Sequence, residues 1–401
     1  MFRVKKNRDI IINYDSICKF ILLTFICCLY ALYEKRLVIE IIYITVFGLY
    51  FITRRCKLSI LSLWSFIFIS ICFLFSLQSV NLYSSLKMIR KLIELSIICT
   101  LLIGYIDSKK KLLFIYKCFI YAGFAMILRL LISFPISEWG AERLGDDILN
   151  ANQIGMYIAI SAICSMQLYK IRNQRRYLIY IVIFFIVCSL SGSRKAFLMF
   201  FAGVSLVNYI NTKKIHKRVI SIILIAFALY IGYKIVMSVP ELYNILGIRI
   251  ERLFDTIQGT GVQDRSAKVR FEMISVGRNL FENKWMIGYG ISTYKFISGY
   301  GMYSHNNYIE LLVGVGLLGT IVYYSIYLYT IIKLIRRREY CYTNAFLVII
   351  LLLLFMEYGL VSYYGEVYQI LIALAIAAIR ISDMESISIN KVGGEKLDNV
   401  K

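Results

Sequence analysis

Apolar residues along this chain come in long blocks that are separated by short polar links. Blocks of about 17 to 25 apolar residues have the length that a helix needs to cross a bilayer. The strands of a membrane barrel would instead alternate polar and apolar positions, and these blocks do not. We therefore predict an all-α integral membrane protein with about twelve transmembrane helices. The predicted spans are residues 17–33, 37–53, 58–79, 92–106, 112–133, 153–169, 177–190, 196–210, 219–238, 308–332, 345–363 and 367–381.

The links fall into two alternating sets, one rich in Lys and Arg and one poorer. In multi-pass proteins the basic links face the cytoplasm. The alternation predicts cytoplasmic termini in a bacterial plasma membrane. It divides the chain into a cytoplasmic N-terminus (1–16), nine spans (17–238), a long extracytoplasmic loop between spans nine and ten (239–304), three spans (305–381) and a cytoplasmic tail (382–401). The poorer links include the one predicted to carry Lys87, Arg90 and Lys91.

Composition agrees with this interpretation, since 59% of the residues are hydrophobic and only 17% are charged. In a soluble protein the net charge of +22 would suggest nucleic acid. Here the positive residues lie in the links, so the expected partners are membrane lipids and not nucleic acid. None of the ten cysteines has the spacing of zinc ligands, and we expect neither a disulfide framework nor a metal site.

Two links on the predicted outer side are unusual. Residues 134–152 are acidic and polar, and residues 239–304 form the longest link. Long loops in compact folds are often functional. Within the second, Val269, Met273, Val276 and Leu280 recur at helical spacing, which predicts an amphipathic helix.

The chain has two histidines. His216 lies in a basic link and is typical of a solvated cytoplasmic residue. His305 lies at the predicted outer rim, where the long loop enters span ten. A neutral imidazole accepts a proton near pH 7, as a general base that activates a hydroxyl requires. The alternative is a structural role at the helix start, where Ser304 and Asn306 are also able to cap.

Arginines on the outer side are the second signal. Arg194 follows Ser191-Gly192-Ser193 in a short turn, where an unpaired arginine costs roughly 3 kcal/mol. It either extends to lipid headgroups or binds a phosphate group with its planar fork. Arg270 lies on the predicted loop helix. Further outer arginines are Arg143, Arg249, Arg252, Arg265 and Arg278.

Acidic residues inside the predicted spans are Glu40, Glu94 and Glu357. Such residues serve as buried polar partners or mark a transport path.

Three stretches together resemble the O-antigen ligase and polysaccharide polymerase superfamily, and the resemblance extends from about residue 150 to residue 319. They are Ser191-Gly192-Ser193-Arg194, the segment from Arg270 through Asn283 to Gly288-Tyr289-Gly290, and Ser304-His305-Asn306-Asn307-Tyr308-Ile309-Glu310-Leu311-Leu312 with the following Gly316-Leu317-Leu318-Gly319.

The resemblance implies an inverting glycosyl transfer without metal or cofactor, from a glycan on undecaprenyl pyrophosphate. It assigns Arg194 and Arg270 to the pyrophosphate and His305 to the acceptor hydroxyl. The candidate substrate-binding residues are Arg143, Asn150, Asn152, Asn306 and Glu310. A flippase and a chain-length regulator are the candidate protein partners.

Several functions share this pattern. We favour a polymerase for O-antigen, capsule or exopolysaccharide. A ligase that moves a finished glycan to lipid or protein has the same chemistry. A lipid-linked oligosaccharide transporter also suits twelve spans, but such folds are typically built from repeats, and we find none in this sequence.

Overall fold

The structure is a computed structural model that describes residues 2–139, 144–145, 148–260 and 265–398. Within these ranges the regular elements are helices, as predicted. They are α1 (Phe2–Ala31), α2 (Arg36–Thr53), α3 (Ile60–Ser76), α4 (Leu82–Tyr105), α5 (Lys109–Ser133), α6 (Ala151–Arg172), α7 (Arg176–Leu190), α8 (Arg194–Asn211), α9 (Ile215–Ser238), α10 (Pro240–Leu242), α11 (Ile248–Gln258), α12 (Arg265–Asn283), α13 (Tyr294–Ile297), α14 (Asn307–Arg336), α15 (Asn344–Met356) and α16 (Glu366–Asp398).

Six segments of the described residues are long and apolar enough to cross a membrane. They are Tyr14–Ala31, Arg36–Thr53, Lys109–Ser133, Ala151–Arg172, Asn307–Arg336 and Cys341–Gly359. Helices α3 and α7 are apolar but shorter, with 17 and 15 residues. The helices agree with a multi-pass membrane protein, while the count of twelve spans and the side on which the long loop lies stay predictions.

The chain folds into two compact units. The first comprises Met1–Cys56 and Leu113–Glu251, and the second comprises Lys57–Leu112 and Arg252–Lys401. Helices α5 and α11 each continue from one unit into the other. Arg194 belongs to the first unit, whereas Arg270 and His305 belong to the second.

The basic residues predicted to form a link before span four lie inside α4 instead. This helix begins at Leu82, where the Asn81 side chain accepts a hydrogen bond from the Ser84 amide. Arg90 pairs with Glu94 one turn later, with Nε 2.9 Å from Oε1. The prediction started the span at residue 92 because it followed apolar residues only. Charges on the exposed side of a helix do not end it when partners lie four residues away.

The amphipathic helix predicted in the long loop is confirmed as α12. Met273 is buried in a cluster with Tyr294 and Val313, and Val269 and Leu280 pack against that cluster. The apolar stripe of α12 therefore packs against α14 within the second unit.

Helix α14 is interrupted, although the sequence predicted one continuous span. At Gly316 the backbone has φ 64° and ψ −169°, which is not helical. A broken helix exposes amides and carbonyls that lipid does not satisfy, so such a break needs protein partners.

The segment 285–290 supplies those partners. Among the described residues, four backbone hydrogen bonds join it to the break. They run from Tyr289 N to Val313 O (2.8 Å), from Gly290 N to Gly314 O (2.8 Å), from Leu317 N to Trp285 O (2.8 Å) and from Leu318 N to Met286 O (3.3 Å). A β-carbon on Gly316 would lie 2.3 Å from the Met286 carbonyl oxygen, so only glycine permits this approach. The Gly-Tyr-Gly and Gly-Leu-Leu-Gly stretches of the sequence thus form a single joint.

Candidate functional site

His305 lies two residues before α14 in a left-handed backbone conformation, with φ 55°. The neighbouring residues hold this turn. The Ser304 hydroxyl donates to the Asn306 carbonyl oxygen (2.7 Å), and the Ser304 amide donates to Glu310 Oε2 (2.8 Å). The Asn306 side chain accepts from the Ile309 amide (3.0 Å) and caps the helix. The cap is therefore Asn306, and His305 is not needed for that role.

The two asparagines after His305 attach the start of α14 to the turn between α15 and α16. Asn306 Nδ2 donates to the Tyr358 carbonyl oxygen at 3.1 Å. Asn307 Oδ1 accepts from the backbone amides of Ser362 (3.0 Å) and Tyr363 (3.2 Å). The position of His305 thus depends on a segment more than fifty residues away in sequence.

Glu357 stabilises the turn between α15 and α16 through buried hydrogen bonds. Its carboxylate is fully buried and accepts hydrogen bonds from the hydroxyls of Tyr324 (2.7 Å), Tyr327 (2.8 Å) and Ser362. The Tyr324 hydroxyl in turn accepts from Asn307 Nδ2 at 3.0 Å. Of the two roles considered for Glu357, the structure supports that of a buried polar partner. Buried polar groups whose hydrogen bonds are satisfied make their surroundings more rigid.

Arg270 and His305 line the same cavity of about 400 Å³ in the second unit. The volume falls within the usual range of small-molecule sites. Its lining combines positive, apolar and imidazole groups. The residues are Arg265, Ser266, Val269, Arg270 and Met273 from α12, together with Met302 and His305. Arg265 and Met302 were not singled out in the sequence as site residues, because their position in the cavity depends on how α12 packs.

Tyr303 is a further residue that the sequence did not single out. Its ring centroid lies 4.3 Å from that of His305. Burial raises the pKa of the Tyr303 phenol above its usual value, and the positive charge of Arg270 opposes that rise. The phenol is therefore protonated near neutral pH and close enough to Arg270 to sense its charge.

In the first unit, Arg194 is the first residue of α8. Gly192 has φ 61°, and the Ser193 side chain caps the helix by accepting from the Ala196 amide. Nη1 of Arg194 donates to the Arg249 carbonyl oxygen at 2.6 Å, so the guanidinium is held against the start of α11. The serines and glycine of this motif therefore build the turn that presents the arginine.

The same turn packs closely on α6. A β-carbon on Gly155 would lie 2.5 Å from the Ser191 hydroxyl and 2.6 Å from the Ala196 β-carbon. Asn150 begins α6 and its side chain accepts from the Asn152 amide at 2.9 Å. The start of α6 and the turn before α8 thus lie at one end of the first unit.

The predicted substrate-binding residues have structural partners where they are described. Asn150 and Asn306 cap helices, and Glu310 holds the Ser304 amide. Arg143 lies outside the described residues. Substrate contacts by these residues and by Asn152 stay predictions, as does the absence of a metal requirement.

Residues 179–324 match the family described as O-Antigen ligase. This segment contains Arg194, Arg270 and His305, and no curated protein matches the chain. The match confirms, for residues 179–324, the resemblance drawn from the sequence: over this stretch the chain is similar to the O-antigen ligase family.

Proposed function

We propose that this protein is a polysaccharide polymerase of the plasma membrane. It transfers a glycan from undecaprenyl pyrophosphate to an acceptor sugar hydroxyl at the outer face. The observation that carries the proposal is the cavity that Arg270 and His305 both line. In the proposal His305 is the proton acceptor and Arg270 is the anion-binding group. The family match supports the same class of reaction.

His305 activates the acceptor in this proposal. The imidazole takes the proton of the sugar hydroxyl, and the oxygen attacks the anomeric carbon of the donor glycan. The bond between that carbon and the pyrophosphate oxygen breaks, and undecaprenyl pyrophosphate leaves with the electron pair. Attack opposite the leaving group inverts the anomeric centre.

Arg270 stabilises the charge that develops on the leaving group. A guanidinium binds phosphate oxygens through two parallel hydrogen bonds and stays charged at physiological pH. The half-buried position of Arg270 strengthens such contacts relative to open water. No metal is needed for this step in our proposal.

Arg194 contributes a second phosphate contact in this proposal. Its support is the built turn, in which Ser193 caps α8 and the Arg249 carbonyl orients the guanidinium. An arginine held by one hydrogen bond loses less freedom when it binds an anion than a mobile one does.

Glycan ligation is the second candidate, since the matching family is described as O-Antigen ligase. The two reactions differ only in the acceptor. A polymerase adds to another lipid-linked repeat unit, whereas a ligase uses a lipid core or a protein.

Reconstituted full-length protein tests both. We expect wild type to consume a lipid-linked repeat unit, release undecaprenyl pyrophosphate and form products longer than one unit, whereas His305→Asn does none of these. Transfer only to an added lipid core or protein would favour ligation. A lipid-linked unit that crosses the bilayer unchanged would instead indicate a transporter and would contradict the proposal.

A further inference from the structure

Tyr303 presents an aromatic ring beside the proposed base. Its ring plane is inclined by 50° to that of His305, and the side chain stays 38% exposed. Within the described part of the chain the Tyr303 hydroxyl has no hydrogen-bond partner. Part of the residue is therefore accessible to a ligand, and the hydroxyl keeps its capacity to form hydrogen bonds.

Tyr303 is in ring contact with His305, which lines the cavity together with Arg270. Its chain neighbour Met302 and the nearby His305 line that cavity, and the Arg270 charge acts on its phenol. A ligand bound beside His305 is therefore close to this tyrosine.

The chemistry of a tyrosine suits a sugar. One face of a pyranose carries C–H groups and packs on an aromatic ring, while the phenol O–H exchanges hydrogen bonds with sugar hydroxyls. Within the proposed reaction the anionic pyrophosphate belongs with Arg270. The accepting hydroxyl belongs to a sugar of the acceptor glycan and not to a pyrophosphate. The acceptor therefore fits the Tyr303 side of His305.

We propose that Tyr303 binds the acceptor sugar by stacking on its apolar face and so directs the accepting hydroxyl towards His305. This inference rests on the proposed glycosyl transfer and adds an acceptor subsite to it. Two other roles are outcomes of the test. Tyr303 either orients the imidazole alone, or serves as an interfacial aromatic that fixes the protein in the bilayer.

Steady-state kinetics with the full-length protein separate these roles. A lipid-free acceptor oligosaccharide is varied independently of the lipid-linked donor. We expect Tyr303→Leu to raise the acceptor KM roughly two- to ten-fold, the range that aromatic contacts contribute. The donor KM should not change, and kcat should stay within about twofold of wild type. Tyr303→Phe and Tyr303→Trp keep a ring and should retain most of the acceptor affinity.

Phe296→Leu is the matched control, because Phe296 is also an exposed aromatic (46%) in the segment before α14. It should leave both KM values unchanged. A fall in kcat with unchanged acceptor KM in Tyr303→Leu would assign Tyr303 to orienting His305 and overturn the subsite. Equal loss of membrane accumulation in both leucine variants would assign it to anchoring.

Tyr303→Trp keeps the inference testable if the leucine variant does not accumulate. Tyr303→Trp keeps an aromatic ring. If its acceptor KM nevertheless rises roughly two- to ten-fold, the rise expected for loss of the ring, the stacking role is overturned. If wild type transfers no glycan at all, the proposed function fails; if wild type is active and Tyr303→Leu has wild-type kinetics, only the subsite fails.

Discussion

The Ser304 amide donates a hydrogen bond to the Glu310 carboxylate at 2.8 Å, so a side chain inside α14 holds the residue that precedes His305. Both residues are buried. An acidic group in the first turn of a helix is also favoured by the helix dipole. Glu310 thus fixes the backbone next to His305, whether or not it also contacts the substrate.

Glu310→Ala should destabilise the protein and reduce turnover. It leaves the buried Ser304 amide without its acceptor, which costs about 1–3 kcal/mol. Glu310→Gln keeps an acceptor oxygen and should be milder. Thermal unfolding in detergent and turnover measure the two effects. An unchanged unfolding temperature with a raised substrate KM would return Glu310 to the role of a substrate ligand.

His305→Asn should abolish transfer while the protein still folds. Asparagine adopts the left-handed conformation found at His305 more readily than most residues, and Asn306 still caps α14. Loss of a general base lowers the rate by about 10² to 10⁴. Product formation at matched protein levels measures this.

His216→Asn is the control for His305→Asn, since His216 lies exposed in the first turn of α9. It should transfer glycan normally, and a chelator should not inhibit wild type. Long polymer from the His305→Asn variant would remove His305 from the chemistry.

Arg270→Lys and Arg194→Lys should each lower turnover at least tenfold. Lysine keeps the charge but not the planar fork that binds phosphate bidentately. Arg278→Lys, on the exposed side of α12, should be neutral. If both arginines act on one pyrophosphate, the double variant should lose less than the product of the single losses. Normal turnover in both single variants would refute the phosphate role.

Gly316→Ala should accumulate poorly, because its β-carbon meets the Met286 carbonyl and its φ is 64°. Left-handed strain alone costs an alanine roughly 1–2 kcal/mol. Gly301→Ala isolates that strain, since Gly301 has φ 69° with no atom near its β-carbon. Size-exclusion profiles of detergent-solubilised protein compare the two. Equal profiles would mean that the joint at Gly316 tolerates a side chain.

The twelve-span prediction places residue 216 inside and residue 284 outside. Fusions of alkaline phosphatase and green fluorescent protein after His216 and after Lys284 report the side of each site. We expect fluorescence at the first and phosphatase activity at the second. The same reporter active at both sites would contradict the predicted topology.

The pattern of apolar residues was sufficient to predict an all-helical fold and the packing face of α12, but not the start of α4 or the break in α14. The spacing of Val269, Met273 and Leu280 specifies one apolar stripe, and a stripe needs a partner surface. The sequence also singled out His305 and Arg270 as candidates, because histidine is rare in this chain and the motif order resembles that of a known family, and the two residues line one cavity.

What periodicity missed are contacts between distant backbone groups. Leu317 and Leu318 continue the apolar run through Gly316, so nothing in the hydropathy marks the break. The signal that the sequence did offer for this break was the presence of glycines, among them Gly316, inside the predicted tenth span. Likewise, the bonds from Asn307 to the amides of Ser362 and Tyr363 involve main-chain donors, which every sequence provides and no sequence pattern marks.

The joint at Gly316 constrains how the site is able to open. The segment from Trp285 to Gly290 is hydrogen-bonded to both halves of α14, and His305 lies two residues before that helix. Helix α12, with Arg270, ends immediately before that segment. The long loop is consequently not a free lid over the cavity, because its segment 285–290 is hydrogen-bonded to α14. A cut in the chain after Gly290 would therefore leave the segment that follows α12 still hydrogen-bonded to α14.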